Sequence, residues 1–378
     1  MDYVLNLGNK EHLETVTRIP VKEVVIQARN FSVAGDIPDM DLSDILNQLK
    51  SHGKQITLQW DTLCRDEEIE ALSKLFVNYS SHITAIRFAD PGVGVYLKRR
   101  FPEHQLQFLM WDGHQNRSGI LEWIKIFQPN LQRIILSNQV PKQIIKQLSQ
   151  DTKIPIEIKG LGRMQLFYSP RKLLSNNPLE KLDQHPDILT ASTDRPSQFF
   201  SVKQTRQGTV MFNDKDLYLL DKFSEIIDIG VNYLGLEPYT AEQYQLIERC
   251  FGKPGWVEEV KSSWDRPLTY GFFSQNQTDK LLARLTNAYL KDEKQYQLGS
   301  VFESLKNSHT LLQLSLDLNL PQQVVFVTPE RKQVSFEITN LVDLKGNRYQ
   351  KKTSPGFYRL PWIKYVGPAS IMKSKASF

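Results

Sequence analysis

Cys64 and Cys250 are the only thiols in this 378-residue chain. Two thiols cannot supply the four thiolates of a structural zinc or iron-sulfur centre, and in a reducing compartment both are expected to stay unpaired. No run approaches the ~18 consecutive apolar residues of a membrane span, so no membrane association is expected. The first residues, Met1-Asp2-Tyr3-Val4-Leu5-Asn6, lack a basic stretch followed by an apolar one; no secretory signal is read there, and the cytoplasm is the expected compartment. Catalytic signatures are scarce too. There is no Gly-x-Ser-x-Gly, no His-Glu-x-x-His and no Walker loop, which removes ordinary serine, zincin and nucleotide-hydrolase chemistry. Gly160-Leu161-Gly162 lacks the third glycine of a dinucleotide fingerprint.

Acidic residues are missing from one end. Lys345, Arg348, Lys351, Lys352, Arg359, Lys364, Lys373 and Lys375 fall between positions 345 and 378 with no aspartate or glutamate among them. The whole chain carries 47 basic and 42 acidic side chains, a net +5, so the rest of the molecule is slightly acidic. Tyr349, Phe357, Tyr358, Trp362 and Tyr365 are interleaved with those cations, a mixture suited to phosphates and stacked bases. Lys351, Lys352, Arg359 and Lys364 are the candidate nucleic-acid contacts. The competing reading is a small β-domain with aromatics in its core and solvated lysines.

Hydrophobic residues make up 40% and charged residues 24%, the balance of a globular protein, and the length suggests two or three domains at ~150 residues each. Short apolar runs alternate with amphipathic helical patterns over the first 250 or so positions, which is the pattern of parallel βα units. Eight strands are predicted: 3–7, 23–28, 55–60, 85–89, 105–110, 133–137, 156–159 and 233–237. Helices are predicted over 42–51, 67–77, 95–101, 120–127, 141–149, 217–227 and 240–250. Eight such units close most economically into a TIM-like (β/α)8 barrel, here over 1–255 with an insertion at about 160–215. Within the insertion, 199–203 and 209–212 around Gln207-Gly208 read as a hairpin crossing the barrel rim. Phe251-Gly252-Lys253-Pro254-Gly255 is a set of breakers, followed by a linker and helix over 256–295, with 281–290 helical. A small β-rich basic domain over 296–378 includes strands at 323–327, 334–339 and 356–360.

Chemistry in such a barrel gathers at the carboxyl ends of the strands, and those ends are polar here. Arg29, Arg87, Lys159, Arg163 and Arg171, with Asn116, suit an anionic ligand or an RNA backbone. Asp61, Asp90, Glu237 and His114 are the candidate acid–base groups. Each has a structural alternative: Asp90-Pro91-Gly92 also reads as a helix N-cap, Asp61 as the cap of its own loop, and His114 as a loop histidine. No metal-ligand spacing is present.

The stretch Glu157-Ile158-Lys159-Gly160-Leu161-Gly162-Arg163-Met164-Gln165 through Ser175 resembles the signature of the peptidase U32 family, the collagenase-like proteases. Glu157, Gly162, Met164, Leu174 and Ser175 fall on matching positions. The segments 133–137, 199–202, 216–221, 229–237 and 269–273 are similar to the family as well, the last of these to members linked to tRNA hydroxylation. The resemblance implies a barrel and either peptidase or RNA-modification activity. Family members that hydroxylate RNA bases or ubiquinone precursors carry an iron-sulfur cluster on four cysteines. Here the signature cysteines are replaced by Gln165 and Lys172, so no cluster is expected. Three readings follow: a cluster-free binder of RNA or an anionic small molecule, a peptidase, and a non-catalytic subunit (pseudoenzyme) for a cluster-bearing family member.

Overall fold

In a computed structural model, residues 1–111, 113–174, 188–192, 195–274, 297–328, 332–368 and 370–374 are described. The chain divides into two compact units, Met1–Ser274 and Gln275–Phe378.

The first unit is an eight-stranded parallel barrel. Its strands are β1 (Asp2–Leu7), β2 (Glu23–Ile26), β3 (Gln55–Trp60), β4 (Ala85–Phe88), β5 (Gln105–Leu109), β6 (Leu131–Leu136), β7 (Ile156–Ser169) and, after three intervening strands, β11 (Tyr233–Glu237). They pair in chain order, and β11 closes the ring by pairing with both β7 and β1. The helices α1 (Leu13–Arg18), α2 (Asp39–Ser51), α3 (Asp66–Val77), α4 (Pro91–Arg100), α5 (Arg117–Phe127), α6 (Lys142–Asp151), α7 (Phe223–Asp228) and α8 (Ala241–Cys250) follow successive strands. All eight predicted strands are present. Apolar side chains fill the layer between strands and helices: Val24, Ile26, Leu58, Ile86, Phe88, Leu106, Phe108, Ile134 and Ile158 are all buried there. Alternate positions along the same strands point into the barrel.

Two stretches depart from the sequence reading. The helix predicted over 217–227 begins as strand: Leu217 pairs with Gly162 and Thr269, and helix α7 starts only at Phe223. Leu217, Tyr218, Leu219 and Leu220 are all buried, and a fully buried apolar run carries no helical periodicity to separate it from strand. Beyond Gly255, α9 (Trp256–Ser263) and β12 (Leu268–Thr269) add to the barrel unit, β12 pairing with β10. Val260 and Trp264 anchor α9 in the barrel core. The helix expected at 281–290 lies outside the described residues.

The predicted rim hairpin is present. β7 continues past the barrel and pairs antiparallel with β10 (Gly208–Tyr218), which pairs with β9 (Arg195–Thr205), which pairs with β8 (Ile188–Ser192). Its inner strands reach the loop after β2. Lys203 Nζ donates to Ala34 O and pairs with Asp36, Thr205 Oγ1 donates to Val33 O, and Gln207 Nε2 donates to Asn30 O. Val33, Val210 and Phe212 form a small apolar cluster of their own, with Trp111 and Tyr168 against it.

Among the described residues the second unit contains only strands and loops. Its strands are β13 (Gln297–Leu305), β14 (His309–Leu314), β15 (Leu318–Asn319), β16 (Gln322–Val327), β17 (Gln333–Ile338), β18 (Leu341–Asp343), β19 (Arg348–Tyr349), β20 (Lys352–Thr353), β21 (Gly356–Pro361) and β22 (Ile371–Ser374). Eight form one antiparallel sheet in the order β17-β16-β22-β13-β14-β21-β18-β19, and β15 pairs with β20. Val301, Leu312, Val324, Phe326, Ile338, Tyr358 and Leu360 are in its core.

Candidate functional site

The inward positions of the barrel strands are occupied by charge. Glu23 of β2, Arg87 of β4, Gln107 of β5, Arg133 of β6 and Glu157 of β7 are all buried and form one network. Arg87 donates to Glu157 Oε2 at 2.8 Å and to Gln107 Oε1 at 3.0 Å. Arg133 donates to Glu157 Oε2 and to Glu23 Oε2, each at 2.7 Å. Gln107 Nε2 and Thr57 Oγ1 both donate to Glu23 Oε1, and the Arg133 guanidinium lies 3.4 Å from the centre of the Tyr233 ring. Two carboxylates balance two guanidiniums. Burial pushes the Glu23 carboxyl up, but the attraction of Arg133 and Arg87, with the bonds from Gln107 and Thr57, holds it below its ordinary range. Sequence reasoning placed Arg87 at the site and did not reach Glu23, Gln107 or Arg133. A charged residue inside an apolar strand run, as in Ala85-Ile86-Arg87-Phe88, is the signal for them.

Above this layer the strand ends enclose a cavity of about 110 Å³. Arg87 and Glu157 reach it from below, Gln27, Gln59, Asp61, Ser137, Asn138, Lys159 and Glu237 line its walls, and Trp111, Gln165 and Phe212 lie towards the rim hairpin. The Lys159 ammonium is held by Glu237 at 2.5 Å and donates to Arg163 O at 2.8 Å. Asp61 is fully buried. It accepts from the Val33 N–H and from Gln59 Nε2, both at 2.8 Å, and burial, which outweighs these bonds, raises its pKa. By contrast, the side-chain amides of Gln27, Asn138 and Gln165 have no hydrogen-bond partner among the described residues. Asn6, on β1 beside Glu237, is buried with both amide atoms unpartnered.

Gly162 fits β7 to this site. Its φ is +131°, and a Cβ there would stand 2.6 Å from Glu237 O, so glycine lets β7 pass close to the end of β11 while turning out to the rim.

The remaining candidates lie elsewhere. Asp90 is the N-cap of α4, accepting from the Gly92 N–H at 2.7 Å, and Asn116 caps α5 in the same way through Gly119. His114 packs edge-on against Phe108 and Trp123, and burial lowers its pKa. Arg29 donates to Asp36 O. Arg163 lies between the Phe212 and Tyr239 rings, 3.9 and 4.2 Å from their centres. Arg171 is exposed. Thus Asp61, Arg87, Lys159 and Glu237 meet at one cavity, and Asp90, His114, Asn116, Arg29, Arg163 and Arg171 do not line it. In the second unit Lys351, Lys352, Arg359 and Lys364 are exposed, and Lys352 pairs with Asp317 at 2.9 Å.

The profile of peptidase family U32 matches residues 8–282. The chain belongs to peptidase family U32. Among its U32 relatives, tRNA hydroxylation protein P2 of Bacillus subtilis is 18% identical over 65% of this chain and 88% of its own length. The tRNA hydroxylation protein P of Escherichia coli is 20% identical over 69% of this chain and 70% of its own. The B. subtilis protein P1 is 18% identical over 97% and 93%. A solved U32 peptidase, Mk0906, superimposes with a TM-score of 0.41 at 9% identity, covering 64% of this chain and 93% of that one.

The iron-sulfur cluster that the family resemblance implies does not fit these residues. Gln165 and Lys172 stand where the resemblance places the signature cysteines, and Cys64 and Cys250 lie on the loop after β3 and on α8. An amide and an ammonium do not replace thiolates as iron ligands. Among the described residues no group of three or more His, Cys, Asp or Glu is placed to hold a metal ion, and no helix is long and apolar enough to cross a membrane.

Proposed function

We propose that this U32 protein serves RNA modification in the cytoplasm without a cluster of its own, holding a base of its RNA in the barrel mouth. The observation that carries the reading is the contrast within the cavity. Its cations, Arg87 and Lys159, are already balanced by Glu157 and Glu237, whereas the amides of Gln27, Asn138 and Gln165 are unpaired among the described residues. Each amide offers two donors and an acceptor oxygen, which matches the imide and amide edges of a nucleobase better than it matches a free anion. Trp111 adds a π-face at the rim. The tRNA hydroxylation relatives support the same substrate class.

The chain's role is then to bind and orient the base, with water excluded under the rim hairpin. Redox chemistry of the cluster type would fall to another chain, so a second reading, as a subunit of a cluster-bearing family member, shares the RNA contact. The test is mass spectrometry of tRNA nucleosides from cells lacking the gene. A modified nucleoside should be lost, and be restored by the wild-type gene but not by Asn138→Ala with Gln165→Ala. An unchanged nucleoside profile would contradict the proposal.

A further inference from the structure

The second unit presents a sheet face that its core does not use. Val301, Leu312, Tyr358 and Leu360 point inward, so the residues alternating with them on β13, β14 and β21 point out. Phe302 is the extra residue of a bulge in β13, where the pairing steps from Val301–Leu312 to Glu303–Leu311. It is 64% exposed and meets Phe357 of β21 edge to face, the rings 5.7 Å apart. A bulge re-aims a side chain, and here it turns a phenylalanine to solvent beside a second one.

Cations stand beside that aromatic pair. Leu311 of β14 opposes Arg359 of β21, Arg359 opposes Val342 of β18, and Val342 opposes Arg348 of β19, so both arginines lie in one row across the sheet. Phe357 is two residues from Arg359 on the same face, about 7 Å along the strand. Both arginines are exposed, and neither makes an ion pair among the described residues. Of the carboxylates on this face, Glu303 lies 3.8 Å from His309 and Glu337 stands on β17, at the opposite edge of the sheet from Arg348. Across positions 297–374 ten lysines and arginines stand against five aspartates and glutamates.

We infer that this face is a stacking platform for single-stranded RNA, with bases on Phe302 and Phe357 and the backbone on Arg359 and Arg348. Exposed aromatics with unpaired guanidiniums suit a polyanion whose ring faces are open, and a duplex hides those faces. The inference rests on the RNA reading above and gives it a second, separate surface.

Fluorescence anisotropy of the full chain with a labelled oligoadenylate tests it. Phe302→Ala with Phe357→Ala, which removes two stacked bases, should weaken binding by about thirtyfold or more, while the slope of log affinity against log salt stays as in the wild type. Arg348→Ala with Arg359→Ala should flatten that slope, and Phe302→Trp should restore affinity when Phe357 is kept. The same RNA in a duplex should bind less tightly. Wild-type binding with no loss in the double phenylalanine variant would overturn the platform and leave the barrel-mouth reading standing. Absence of any RNA binding by the wild type would overturn both. Unchanged RNA binding together with loss of self-association in sedimentation would assign the face to a second copy of the chain.

Discussion

Asp61 is buried with no cation paired to it among the described residues, so its titration bears directly on stability. Its raised pKa means that the folded state holds the proton more tightly than the unfolded chain does. The contribution is therefore full below the ordinary carboxylate value of about 4 and is lost as pH rises through the folded value. Asp61→Asn keeps an acceptor for the Val33 N–H and removes the charge. Urea unfolding across pH should show the wild type losing ground to the variant as pH rises from about 4, with a constant gap contradicting this. Arg133 presents the opposite case, because it bridges Glu23 and Glu157. Arg133→Met leaves two buried carboxylates short of a partner and should cost about 3–5 kcal/mol in the same assay. Asp61, Lys159 and Glu237, which line the cavity, were legible because each stands at the end of a strand predicted from the sequence. Asp90 and Asn116 share that position in sequence, but their short side chains turn back to the N–H groups of the next helix, and no spacing rule separates the two outcomes.

At the scale of elements, the strand pattern was legible because each barrel strand is bounded by turn residues and buries its outer face. The chain after Gly160 was less so. β7 runs on into the rim hairpin through Lys159, Gly160, Gly162 and Arg163, which interrupt its apolar pattern, and the meeting of β7 and β11 depends on the backbone of Gly162, whose side-chain-free Cα clears Glu237. Gly162→Ala should cost about 1–3 kcal/mol in thermal unfolding; an unchanged midpoint would show that β7 relaxes around the new methyl. The rim hairpin is tied to the loop after β2 by Lys203 and Thr205. Lys203→Ala with Thr205→Val should speed amide exchange over residues 199–212 more than in the barrel strands, whereas uniform exchange would mean that the hairpin opens only with global unfolding.

Over the whole molecule, cations are handled in two ways: Arg87, Arg133 and Lys159 inside the barrel are paired with carboxylates, whereas Arg348 and Arg359 of the second unit are exposed with no ion pair among the described residues. The basic tail was plain from the sequence, and so was its ambiguity. The structure places Tyr349 and Tyr358 against each other at the core and leaves Phe357 and Tyr365 exposed, so the aromatics divide between packing and surface. Phe302 escaped the sequence because a bulge, with no composition of its own, exposes it. Lys351→Ala with Lys352→Ala should lower the magnitude of the salt slope for single-stranded RNA by up to about 1.4, two contacts at about 0.7 each, and an unchanged slope would remove them from the interface. The proposal that the barrel mouth holds a base is tested most directly by tRNA affinity at fixed salt for wild type and Trp111→Ala. Loss of one stacked base should weaken binding by about 1–3 kcal/mol without altering the salt slope; equal affinity in the two proteins would contradict a base in the barrel mouth.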